Sequence, residues 1–124
     1  MKILRAFCGS LLLPCAASWA CGVCVEDKVA ATYDHAVIQQ AAGKGQVVVF
    51  CEASGAIDAP RIRNAARLVR GLDRSSVRVS TQPAALSFAI DPAQQSPQAA
   101  VSALQKALPA GSHVAILKLM TPQR

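Results

Sequence analysis

The stretch Gln46-Val47-Val48-Val49-Phe50-Cys51-Glu52 is an unbroken apolar row between polar ends. Such a row reads as a strand buried on both faces, and so as a central one. Gly43-Lys44-Gly45 precedes it and Glu52-Ala53-Ser54-Gly55 closes it in a loop signal. Upstream, Val25, Val29, Tyr33, Ala36, Val37 and Gln40 recur at helical spacing. They predict one amphipathic helix over 25–42, opened by Glu26 and Asp27 and ended by Gly43.

Downstream, Asp58 reads as an N-cap with Pro60 in the first turn of a helix over 59–71. That helix would bury Ile62, Ala65, Ala66, Val69 and Leu72. Val77 and Val79 alternate with Arg78 and Ser80, and Leu86, Phe88 and Ile90 alternate in turn, with Thr81-Gln82-Pro83 between them; the pair reads as a hairpin. Ser96-Pro97 opens a helix through Leu108 that would bury Val101, Leu104 and Leu108, and Val114 to Met120 supplies a last strand. After Lys44 the order is strand, helix, strand, strand, helix, strand. This is the split βαβ arrangement of an α+β ferredoxin-like βαββαβ sandwich, here with one extra N-terminal helix.

Composition divides the chain of 124 residues in two. Lys2 and Arg5, an apolar run from Ala6 to Leu13, Pro14 and the small-residue pattern Ser18-Trp19-Ala20 describe a secretory signal peptide over 1–20. The apolar run is too short to span a membrane. The remainder, 21–124, is expected to be one exported, periplasmic domain without a transmembrane segment, its C-x-x-C and first helix occupying 21–43. Acylation of Cys21 as a lipoprotein is the alternative fate of the cut end. The whole chain carries a formal charge of +6. In an exported protein that balance argues for solubility or an acidic or anionic partner, not for nucleic acid. Arg63, Arg67, Arg70 and Arg74 line the outer side of the 59–71 helix. The bland reading is a solvated face, and the sharper one a docking patch for an acidic protein.

Several of these features resemble a heavy-metal-associated domain, the ferredoxin-like module of copper chaperones and metal-pumping ATPases. The likeness is carried by Val69-Arg70-Gly71-Leu72-Asp73, Ser76-Val77-Arg78-Val79, Ala89-Ile90-Asp91-Pro92 and the helix after Ser96-Pro97-Gln98 with Ala103 and Leu104. It extends over about 46–119 and implies soft-metal binding or trafficking. The family's C-x-x-C lies in the loop after the first strand, where this chain has Gly55-Ala56-Ile57-Asp58. The family's ligands therefore have no counterpart in that loop.

Cysteine elsewhere takes up the question. With Cys8 and Cys15 in the signal, 21–124 keeps Cys21, Cys24 and Cys51, an odd number for an oxidising compartment. A helix of about 17 residues and a strand of about seven have similar lengths, roughly 25 and 20 Å. The short linker between them folds one back on the other. That argument by length returns Cys21 and Cys24 to the edge where Cys51 ends its strand, with His113 as a fourth ligand from the turn before the last strand. Thiolates are soft ligands that select Cu(I), with Zn(II) next when a fourth ligand is present. His35, eleven residues beyond Cys24, lies too far along the helix to share a metal and reads as an ordinary helix-face residue.

Three readings stay open on these residues. The first is a soft-metal site of Cys21, Cys24 and Cys51. In the second, the C-x-x-C exchanges disulfides, with Cys51 as resolving partner. The third is a Cys51 disulfide to Cys21 or Cys24 that staples a small interaction domain, worth about 3 kcal/mol. Neither a Ser/His/Asp arrangement, nor paired carboxylates, nor a phosphate loop stands out, so ordinary catalysis is not expected.

Overall fold

A computed structural model describes residues 24–122. The predicted signal peptide and Cys21 lie outside the described residues. The elements run α1 (Val25–Thr32), α2 (His35–Lys44), β1 (Val47–Ser54), α3 (Ala59–Ala66), β2 (Leu72–Thr81), β3 (Ala84–Ile90), α4 (Pro97–Ala107) and β4 (His113–Met120). The architecture is α+β: the four strands form one antiparallel sheet in the order β2-β3-β1-β4. The apolar row 47–51 is thus central, hydrogen-bonded to β3 on one side and β4 on the other.

Period-two alternation along β1 sends its side chains to two separate cores. Val47, Val49, Cys51 and Ala53 join Ile62, Ala65 and Ala66 of α3 and Ala100, Val101 and Leu104 of α4. Val48 and Phe50 join Val37 and Ala41 of α2 and Ala89 of β3, with Val29 and Ile38 packed against them. Helices therefore cover both faces of the sheet, α3 and α4 on one and α1 and α2 on the other.

The single N-terminal helix expected over 25–42 is two helices. Asp34 is the reason. Its backbone is extended (φ −138°) and its carboxylate accepts hydrogen bonds from the Ala36 and Val37 N–H groups, so it caps a new helix. Its second oxygen accepts from Arg78 Nε on β2 at 2.9 Å. Up to this corner, α1 crosses the strands instead of running along one. Lys28 pairs with Glu52 of β1 at 2.8 Å, and the Thr32 carbonyl accepts from the Ser87 hydroxyl of β3. Asp34 then reaches β2, so successive residues meet successive strands. From there α2 leads back to β1, passes through Gly43 and ends after Lys44, where Gly45 takes the left-handed conformation (φ 71°).

The other helices start where the sequence predicts. Asp58 accepts from the Arg61 N–H and Ser96 from the Ala99 N–H. Ile62, Ala65, Ala66, Val69 and Leu72 are all buried, although α3 ends at Ala66 rather than at Gly71. Gly55 closes the end of the sheet where β1 leaves it. Its φ is 92°, and a Cβ there would collide with the Gly111 carbonyl in the turn before β4.

Leu104 is fully buried between α4 and the sheet, and Leu104→Ala is expected to cost about 3 kcal/mol of unfolding free energy in urea denaturation. The Arg78 guanidinium holds the Asp34 carboxyl below the ordinary value of 3.8. A carboxyl depressed on folding adds stability above its unfolded pKa and loses it as pH falls through the folded one. Asp34→Asn should therefore lower Tm at neutral pH, and its gap to the wild type should close below about pH 4. Thermal denaturation followed by circular dichroism at a series of pH values checks this; a gap that stays constant into acid would remove the Arg78 pair from the account.

Candidate thiol site

Cys24 and Cys51, the two cysteines among the described residues, are both free thiols, and their surroundings are opposite. Cys24 is the N-cap residue of α1, with extended backbone (φ −83°, ψ 169°) and a carbonyl that accepts from the Asp27 and Lys28 N–H groups. Its side chain makes no cap hydrogen bond and stands exposed, with Sγ 3.7 Å from Asp27 Oδ2. The helix forms here because Glu26 and Asp27 place negative charge in its first turn, where the backbone dipole favours it.

Cys51 is 1 % exposed and part of the core under α3 and α4. Burial without a charged neighbour pushes its thiol up to about 12. Its neighbour Glu52 projects to the other face, where Lys28 of α1 holds it. Cys51 and α1 are therefore on opposite sides of the sheet. Similar lengths of helix and strand bring the two ends level along β1 but do not put them on the same face. Alternation places Phe50 and Glu52, not Cys51, under the N-terminal helices. The bend at Asp34 also turns α1 across the strands, so the expected antiparallel helix–strand pair is not formed.

His113 opens β4 and is exposed. It pairs with Ser54 while Val114 beside it enters the core that holds Cys51, so alternation turns His113 to the other face. The turn before β4 does lie at the end of the sheet where β1 leaves it, since the Ser112 hydroxyl donates to the Ala56 carbonyl. His35 is the first residue of α2 and exposed. Among the described residues no three His, Cys, Asp or Glu side chains converge as a metal cluster. Cys24 and His113 are thus the exposed members of the expected set among the described residues, and Cys51 lies on the opposite face from Cys24.

A groove of about 600 Å³ lies between α1 and β4, lined by Val25, Val29, Tyr33, Leu117 and Met120 among others. Val25 and Tyr33 are nearly half exposed there. Their helical spacing marked them for the core. The clue to the difference was Asp34, a strong N-cap residue in the middle of the proposed helix. No family model matches the chain, and no curated protein or solved structure does either.

Under native conditions iodoacetamide is expected to modify Cys24 promptly, and Cys51 only at the rate at which the domain opens. Peptide mass spectrometry with and without urea reads both rates. Equal native labelling of the two thiols would contradict the burial of Cys51 under α3 and α4.

Proposed function

We propose that this is an exported, periplasmic soft-metal-binding or trafficking protein. Its thiol site is the C-x-x-C at the head of α1, Cys21 and Cys24, without Cys51. The observation that carries the reading is the exposure of Cys24 at the N-cap of α1. Cys21 stands three residues before it in the chain, the spacing of a two-thiol pair for a soft metal. The donor set fits Cu(I), which a pair of thiolates suffices to hold; Zn(II) would need further ligands from elsewhere. When bound, the metal would supply the cargo, and the protein would supply two thiolates on a rigid scaffold.

The scaffold of the proposal is a ferredoxin-like sandwich of the heavy-metal-associated kind. Support comes from the antiparallel sheet with β1 and β3 at its centre and α3 and α4 on one face. In that comparison the loop after β1 has changed use. It packs Gly55 against Gly111 and carries no thiol, while Cys24 stands at the start of α1 on the other face. Cys51 then serves packing.

Titration of the reduced protein with Cu(I) against a chromophoric chelator tests the assignment. The wild type and Cys51→Ala are expected to bind one equivalent alike, whereas Cys24→Ser loses competitive binding with its circular dichroism unchanged. Loss of binding in Cys51→Ala with the fold intact would restore the buried cysteine to the site. A mixed disulfide at Cys24 that turns over with glutathione, with no copper retained, would favour thiol–disulfide exchange in place of metal binding.

A further inference from the structure

We infer that the cleft between α3 and the edge strand β2 is a docking site for an acidic protein segment that also carries a large apolar side chain. Arg63 and Arg67 are one helical turn apart at the end of α3, and Arg74 comes from β2. Together with Ser75 and Val77 they line a cleft of about 330 Å³. The three arginines are exposed.

The cleft gathers unpaired arginines from two elements in one place. Arg61 pairs with Asp58 at 3.4 Å and Arg78 with Asp34 at 2.9 Å. Arg63, Arg67 and Arg74 make no ion pair among the described residues. The neighbouring carboxylate, Asp73, is already committed: Ser75 donates to one oxygen through both its hydroxyl and its N–H, and Lys44 of α2 approaches the other. Three guanidinium groups thus converge from two elements with no internal anion to neutralise them. That arrangement suits carboxylates from outside, because the planar donor fork of arginine matches a carboxylate.

The apolar part of the partner is read from Leu68. It follows Arg67 directly and is 76 % exposed, more than any other large hydrophobic side chain described. It borders a second depression with Ala65, Leu108 and Pro109. Leu68 faces this adjoining depression rather than the cleft itself, so a segment lying across both would meet arginines on one side and a leucine on the other. A simple oxyanion would reach the arginines alone, whereas a segment across both depressions would reach Leu68 as well. On the partner side, β2 is an edge strand whose outer hydrogen-bonding groups face away from β3, so an extended segment could also pair there. Arg70 does not line the cleft. The surface lies on the α3 side of the sheet, away from α1, and the inference is independent of the metal reading.

Fluorescence anisotropy with a labelled peptide of repeated Glu-Glu-Leu units, added to the full chain at low salt, tests the proposal. Measurable binding is expected, weakening as salt rises. The Arg63→Ser, Arg67→Ser, Arg74→Ser triple variant should bind about tenfold less tightly, as the loss of three partly exposed ion pairs predicts. Arg67→Ser alone should lose part of that. Leu68→Ser should weaken the Glu-Glu-Leu peptide but leave a Glu-Glu-Ser peptide unaffected. An Arg70→Ser, Lys106→Ser control removes positive charge outside the cleft and should match the wild type. No binding by the wild type, or equal loss in control and triple variants, would overturn the proposal. So would co-sedimentation with anionic phosphatidylglycerol vesicles that depends on the same arginines without any peptide binding.

Discussion

Strand β1 is the constraint on which the rest of the molecule depends. It is hydrogen-bonded on both edges and buried on both faces, so every neighbour in the structure is placed relative to it. Its odd-numbered side chains hold α3 and α4, and its even-numbered ones hold α1 and α2. A displacement of one residue along the strand would exchange the two sets and put Glu52 where Cys51 is, in the apolar core. Burying an unpaired carboxylate there is costly, which pins the register.

From that constraint follows the division between the two thiols. Cys51 occupies a position that requires a small apolar side chain, and it behaves as one; its thiol is inert because nothing near it stabilises the charged form. Cys24 stands at the exposed start of a helix on the other side of the sheet, where a ligand or a second thiol can reach it. A chain with cysteines close in count and plausible in spacing can still keep them apart, because a sheet is a barrier between its faces.

The N-terminal helices combine a small apolar cluster, Val37 and Ala41 against Val48 and Phe50, with polar contacts at their margins. Lys28 reaches Glu52, Asp34 reaches Arg78 and Lys44 reaches Asp73, three ion pairs that tie α1 and α2 to β1 and β2. Each is partly exposed and individually modest. Their arrangement decides the path of the chain more than its stability. By contrast, α3 and α4 are fixed by Ile62, Ala100 and Leu104, side chains without measurable exposure. The covering on one face is thus chiefly apolar and on the other partly electrostatic, and Cys24 belongs to the second.

Local signals in the sequence determined most of the elements. An unbroken apolar row marks a two-sided strand because no polar position interrupts it, and Asp58 and Ser96 mark helix starts because their side chains replace missing backbone partners. The succession of strands and helices after Lys44 was legible for the same reason. The break at Asp34 was legible in principle, but helical spacing on both sides of it concealed the cap. What only the tertiary structure decided was which residues face one another. Spacing gives distance along an element, whereas the meeting of Cys24, Cys51 and His113 depends on the direction of α1 and on the face of β1. Those are set by contacts between residues far apart in the chain, such as Arg78 with Asp34 and Lys28 with Glu52. The convergence of Arg74 with Arg63 and Arg67 was hidden likewise, since a strand and a helix carry no shared period by which a sequence could show that they are neighbours.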